Sequence, residues 1–234
     1  GKKYIDAVSS WWVNIHGHSH PYIAQKVSEQ LNRLEHVIFA GFTHPGAIEL
    51  AERLLKILPS GQSKVFYSDN GSTAVEVALK MCFQYWSNMG DPRTKILAFN
   101  NSYHGDTFGA MAVSSRSAFT QPFEKLLFDV EFIDVPDARN IEELKAHISG
   151  ISSDLAAFIF EPLVQGAGGM QMYEAKYLDG LILHCRENGI LTIADEVMTG
   201  FGRTGKLFAS DHLSEQADLM CFSKGLTGGT MALG

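Results

Sequence analysis

The sequence predicts an α/β fold, a mostly parallel sheet flanked by helices, with a short amino-terminal segment beside it. Three observations carry that expectation. From Lys64 onward, short β-rich runs alternate with helical patterns. Most of the runs are continuously apolar, as strands covered on both faces are. The intervening segments carry apolar residues at helical spacing. Sheets built this way bind ligands at the carboxyl ends of their strands.

The first 45 or so residues stand apart from that pattern. Tyr4-Ile5-Asp6-Ala7-Val8 reads as a short strand, and Pro21 to Leu34 as an amphipathic helix. Residues 1–45 are therefore expected to form a separate lobe or arm, and residues 46–234 the large domain. Pro45 opens a helix that runs through Leu50, Leu54 and Leu58 to Pro59. The predicted strands are Lys64–Tyr67, Lys95–Phe99, Val130–Asp134, Ala156–Glu161, Ile190–Ala194 and Asp218–Phe222. Between them, Ser72 to Asn88 carries Val75, Leu79, Cys82, Phe83 and Trp86 on a helical stripe. Tyr177, Leu178, Leu181, Ile182 and Cys185 form another, which Gly189 is placed to end.

Composition narrows the function. At 234 residues, 45% apolar and 19% charged, the chain has the makings of a globular domain with a sizeable core. A net charge of -7 disfavours nonspecific binding to nucleic acid or anionic membranes. No apolar run approaches the ~20 residues that span a bilayer. Cys82, Cys185 and Cys221 lie far apart in apolar segments, which predicts buried free thiols in a reducing, cytoplasmic setting.

The candidate site residues all follow apolar runs. Asp69-Asn70-Gly71-Ser72-Thr73 links a strand to a helix, where backbone amides and the helix dipole favour an anion such as phosphate; an ordinary helix cap is the competing reading. Tyr103 and His104 follow the next strand, where an aromatic can stack on a flat ring and Gly105 can also mark a simple turn. Glu161 ends a third strand, as a site carboxylate or merely the first polar residue past the core. Asp195 closes the run Ile190–Ala194, and Lys224 follows Leu219-Met220-Cys221-Phe222. A lysine there is partly desolvated, which lowers its pKa and frees its amine for attack. A pyridine-ring cofactor held as a Schiff base needs such a pair: the lysine forms the imine, and the carboxylate keeps the ring nitrogen protonated.

Two other patterns lead elsewhere. Gly200-Phe201-Gly202-Arg203-Thr204-Gly205-Lys206 nearly matches a phosphate loop, suggesting a nucleotide-binding protein as a remote alternative. Leu207 stands where a magnesium-binding Ser or Thr belongs, so a structured loop is the better reading. His16, His18 and His20 alternate in a loop, but no cysteine or carboxylate accompanies them closely, and no metal site is expected. Trp11-Trp12 would point to opposite sides of an extended chain, one packing inward and the other lining a pocket.

With these residues on one rim, the chain resembles fold-type I pyridoxal-phosphate enzymes, and more narrowly the class III aminotransferases. The run Asp195-Glu196-Val197-Met198-Thr199-Gly200-Phe201-Gly202-Arg203-Thr204-Gly205 is the most specific part of that likeness. The resemblance implies that Gly71 and Ser72 bind the cofactor phosphate, Tyr103 stacks on the ring and Val197 packs beneath it. It also implies that Asp195 pairs with the ring nitrogen, Glu161 supports the site near Asp195, and Lys224 forms the imine. Ser9-Ser10-Trp11-Trp12, Tyr103 to Ala110 and Gln165-Gly166-Ala167-Gly168-Gly169-Met170 resemble the biotin-pathway branch of the class. That branch implies Trp11, Trp12, Tyr103 and Asp106 as substrate contacts, 8-amino-7-oxononanoate as substrate, and S-adenosylmethionine or lysine as amino donor. Relatives acting on ornithine or 4-aminobutyrate, the nearer alternative, commonly carry Glu where Ala167 stands. A catalytically silent relative is the non-enzyme alternative, which intact Asp195 and Lys224 disfavour. The resemblance further implies a cytoplasmic homodimer with active sites at its interface. It also implies a longer protein whose carboxyl-terminal arginine binds the substrate carboxylate, so that residues 1–234 alone are expected to be inactive.

Overall fold

The computed structural model describes residues 1–234. At its centre lies a parallel five-stranded sheet built from β1 (Lys95–Phe99), β2 (Val130–Ile133), β3 (Leu155–Phe160), β6 (Leu191–Asp195) and β7 (Leu219–Cys221), in the order β2-β1-β3-β6-β7. A separate antiparallel pair, β4 (Val164–Gln165) and β5 (Gln171–Met172), forms a small flap after β3. Every residue of β3 is buried, which explains why this central strand reads as the unbroken apolar run Leu-Ala-Ala-Phe-Ile-Phe.

Alternate residues feed two cores. Ile96 and Ala98 face α4 (Gly71–Asn88), packing with Val75, Leu79, Cys82 and Trp86. Leu97 and Phe99 face the opposite side, toward Leu144 and Ile148 of α6 (Ile141–Ile151) and Leu178, Leu181 and Ile182 of α7 (Ala175–Glu187). α7 stops where Gly189 turns with φ +67°, a left-handed angle that glycine adopts without a Cβ clash. The helices α2 (Pro21–Arg33) and α3 (Pro45–Ile57) start with proline at their first positions, as expected.

Two expected strands are absent, and both for want of a partner. Tyr4–Val8 has no neighbouring strand; Tyr4 and Ile5 stay 86% and 95% exposed. Lys64–Tyr67 is not a strand either: the only rung beside it joins Ser68 to Gly234, through two 2.8 Å backbone bonds. An extended apolar run becomes a strand only where another backbone takes up its amides and carbonyls.

The sheet's parallel sense puts the residues after Phe99, Phe160, Ala194 and Cys221 on one rim. Phe160 pairs with Ala194 and Asp195 with Cys221, so Glu161 follows on directly beside Asp195.

Candidate active site

Residues from five strand or helix ends line a cavity of about 250 Å³: Gly71 and Ser72, Tyr103 and His104, Glu161, Asp195 and Val197, and Lys224, with Trp12 reaching in from the amino-terminal segment. Of the sequence-predicted residues, Trp11 and Asp106 do not line it. Trp11 remains 70% exposed, and Asp106 accepts a 2.8 Å bond from the Tyr103 hydroxyl at the surface.

The amino end of α4 is shaped by its sequence. Asn70 caps it, accepting from the Thr73 amide at 3.0 Å, while the Thr73 hydroxyl accepts from the Asn70 amide at 2.9 Å. The cap is made by Asn70 and Thr73. The amides of Gly71 and Ser72 have no acceptor in the chain and open on the cavity with the positive end of the helix dipole. Only glycine fits at 71, since a Cβ would stand 2.7 Å from Val197 Cγ1. Gly105, at φ +135°, is equally constrained: a Cβ there would meet Ser72 Oγ at 2.3 Å.

Asp195 is 4% exposed and held at both oxygens. The Val197 amide donates to Oδ1 at 3.0 Å, and His104 Nδ1 lies 2.7 Å from Oδ2. A carboxylate only accepts, so the imidazole Nδ1–H donates. His104 Nε2 is buried and has no partner. This pairing was missed in the sequence, where His104 read as a neighbour of the ring stacker; no local signal reveals a bond that spans 91 residues.

Glu161 accepts from the Gly166 amide at 3.0 Å and the Tyr103 amide at 3.2 Å, tying the β3 end to two loops. Burial pushes its carboxyl up to about 7, with the Asp195 charge adding to the rise and His104 and the two amides opposing it. Burial lowers the Lys224 amine below the usual lysine range; Asp195 and Glu161 oppose that shift and Arg203 reinforces it. Burial likewise raises the Tyr103 phenol, helped by the Asp106 carboxylate.

The segment after Asp195 is anchored by Glu196, whose role no local pattern in the sequence reveals. Glu196 is fully buried and accepts from Thr199 Oγ1 at 2.6 Å, Ala209 N at 3.1 Å and Ser210 N at 2.7 Å. Burial raises its carboxyl. The glycine-rich loop between these anchors turns on itself, Gly202 N bonding Leu207 O at 2.9 Å, while Lys206 Nζ donates to Asp211 O at 2.6 Å. From the same loop, Arg203 Nη2 donates to the Trp12 carbonyl at 3.1 Å.

Trp12 sits on an unusual turn. In α1 (Ser9–Trp12) all four residues have positive φ, at 51°, 48°, 65° and 65°. Left-handed geometry costs roughly 1–2 kcal/mol per non-glycine residue. Trp12 lines the cavity, but Trp11 is exposed rather than packed inward, and the two rings meet edge-on with centres 5.9 Å apart on this left-handed turn. The Trp12 ring lies 5.8 Å from Lys224 Nζ.

Taken together, free helix-end amides, a doubly held buried aspartate and a desolvated lysine suit a phosphorylated ring aldehyde that reacts with amines. The His16, His18 and His20 imidazoles do not converge: His16 packs edge-on to His20 with ring centres 6.3 Å apart, and His18 turns to Asp6.

Comparisons with known proteins agree with this chemistry. A family model described as aminotransferase class-III matches residues 1–234. The chain is 54% identical to the adenosylmethionine-8-amino-7-oxononanoate aminotransferase of Synechococcus elongatus, covering all of this chain and 57% of that protein. It is 39% identical to the protein of that name from Staphylococcus aureus, covering 55% of it. Among solved structures, the adenosylmethionine-8-amino-7-oxononanoate aminotransferase of Methanocaldococcus jannaschii superposes with a TM-score of 0.95 at 40% identity, over all of this chain and 55% of that one. A PLP-bound amine transaminase from an uncultivated Pseudomonas species gives 0.91 at 36% identity, over 98% of this chain and 56% of that one. The chain thus spans about half the length of the curated relatives it matches.

Proposed function

Because this chain belongs to the class-III aminotransferases, we propose that the natural protein is a pyridoxal-phosphate transaminase that converts 8-amino-7-oxononanoate to 7,8-diaminononanoate in biotin synthesis, with S-adenosylmethionine as donor. The observation that carries the reading is the convergence of Lys224, Asp195 and the free Gly71 and Ser72 amides on one cavity. The residues present fit the cofactor. Two unpartnered amides at a helix amino end suit its phosphate, Tyr103 and Val197 offer flat and apolar walls to its ring, and Asp195 offers a fixed carboxylate to its ring nitrogen.

When bound, pyridoxal phosphate supplies an aldehyde that joins amines and a protonated ring that withdraws electrons from the neighbouring carbon. The chain supplies the rest. Lys224 Nζ, kept partly desolvated, would take the proton from the carbon that bears the donor nitrogen and pass it, in the same half-reaction, to the cofactor carbon that receives that nitrogen; in the acceptor half it would move a proton the opposite way. Such a positioned base typically contributes about 10²–10⁴-fold. Asp195 is held in place beside the ring position by the Val197 amide and the His104 imidazole, which both donate to it. Trp12 walls the cavity beside Lys224 and excludes water from the transferred nitrogen. Ala167, also on the cavity wall, leaves it without the glutamate expected of ornithine or 4-aminobutyrate enzymes.

In this reading residues 46–234 are the cofactor-binding domain and residues 1–45 an arm that completes the cavity through Trp12. On the same reading, the natural protein is a cytoplasmic homodimer. Exposed Phe39, Phe42 and Phe66 supply apolar surface suited to a subunit contact. Borohydride reduction of the cofactor-loaded natural protein followed by peptide mapping tests the assignment: the pyridoxyl group should appear on Lys224. Its attachment at another lysine would overturn the proposed role.

A further inference from the structure

The left-handed turn that carries Trp12 contains neither glycine nor asparagine, the residues that adopt such angles readily, so contacts from outside must hold it. Asp6 supplies them. Its Oδ1 accepts from the Ser10 amide at 2.8 Å and its Oδ2 from the Ser10 hydroxyl at 2.7 Å. His18 Nε2 lies 2.8 Å from the same Oδ2, and Asn14 Nδ2 lies 3.3 Å from His18 Nδ1. One neutral tautomer satisfies both contacts: Nε2–H donates to Asp6 and Nδ1 accepts from Asn14. The clasp thus joins the residues before the turn to the loop after it. Beyond the clasp, Trp12 meets the cavity through its carbonyl on Arg203 and its ring beside Lys224. The Ser10 amide, then the Ser10 hydroxyl and His18, hold the Asp6 carboxyl at about 2, so the clasp keeps its charge at working pH.

We propose that Asp6 and His18 are positioning residues, which lock α1 in its left-handed form and so set Trp12 as the wall of the amine-binding cavity beside Lys224. The inference rests on the transaminase reading for its catalytic consequence, but not for its geometry. It is tested in the natural protein labelled with 5-fluorotryptophan, with the Trp12 and Trp86 resonances assigned by Trp12→Phe and Trp86→Phe. In cofactor-free Asp6→Ala, the Trp12 resonance should shift or broaden while that of Trp86 stays in place. In the loaded enzyme, KM for S-adenosylmethionine should rise about tenfold, the size of one lost hydrogen bond to a charged group, with kcat within about twofold. His18→Ala should reproduce part of both effects, and His18→Gln, whose amide can still donate to Asp6, should restore them. A Trp12 resonance unmoved in both Asp6→Ala and His18→Ala overturns the proposal, as does an equal loss in kcat and cofactor binding. A parent enzyme that ignores S-adenosylmethionine overturns the functional reading alone, since the fluorine signal still decides the clasp.

Discussion

His104 donates to Asp195 across the sheet, from the loop after β1 to the end of β6, with β3 between them, and at 2.7 Å the contact is buried at both ends. Removing a donor from a carboxylate with this little exposure leaves a buried polar group without its partner, which is costly.

His104→Phe keeps the ring volume and removes the donor. Losing a hydrogen bond to a charged group costs roughly 1.5–3 kcal/mol, which corresponds to a fall in kcat of about tenfold to a hundredfold. His104→Asn, with an amide nitrogen near the place of Nδ1, should recover much of it. Steady-state kinetics on the two variants checks this, and equal rates in both would assign His104 a packing role only.

Glu161 gives a pH signature. Between about 4.3, the ordinary glutamate value, and about 7, the folded chain holds a proton that the unfolded chain has released. Stability therefore falls as pH rises through that window, by an amount on the order of 3 kcal/mol. Glu161→Gln lacks this titration, so its melting temperature relative to the parent should climb from pH 5 to pH 8. A difference that stays flat with pH would show that Glu161 is ionised throughout.

How far the sequence revealed all this depends on whether a residue's role is local. The strands expected at Lys95–Phe99 and Ala156–Glu161, the second found one residue earlier at Leu155–Phe160, were legible because a strand covered on both faces must be apolar throughout. The end of α7 at Gly189 was legible because a left-handed stop favours glycine. Lys64–Tyr67 misled because its apolar pattern is strand-like while its pairing depends on a distant backbone. Asp195 closes β6 and Lys224 lies three residues past β7, and both line the cavity, because each comes at the carboxyl end of an apolar strand. The left-handed form of Ser9–Trp12 was not legible, because its sequence carries none of the residues that mark such angles.

Arg93 predicts a stability effect away from the cavity. Its guanidinium lies 3.4 Å from the centre of the Trp86 ring, and Nη1 donates to Ser152 O, Leu155 O and Gly189 O at 3.3, 3.2 and 2.9 Å. Arg93→Ala leaves those carbonyls short of donors and uncovers the indole, which should destabilise the fold by about 2–4 kcal/mol. Urea unfolding measures the change, and a loss below about 0.5 kcal/mol would mean that water replaces the guanidinium without penalty.

Gly71→Ala tests the close approach of α4 to the cavity floor. The added Cβ, 2.7 Å from Val197 Cγ1 and 3.1 Å from Cγ2, forces one of the two to move. Overpacking of this kind costs about 1–3 kcal/mol, and here the displaced atoms line the site, so cofactor affinity should fall about tenfold. Equilibrium titration with pyridoxal phosphate reads it; unchanged affinity would detach Val197 from the ring.

The central claim is that Lys224 and Asp195 serve amine transfer through pyridoxal phosphate. Its most direct test is the absorption spectrum of the natural protein loaded with that cofactor, recorded before and after adding S-adenosylmethionine. The account predicts that the band of lysine-bound cofactor disappears and that of the aminated cofactor rises. Asp195→Ala should still bind the cofactor but make this conversion far slower. A loaded protein with no lysine-bound band, or an Asp195→Ala variant that converts as fast as the parent, would contradict it.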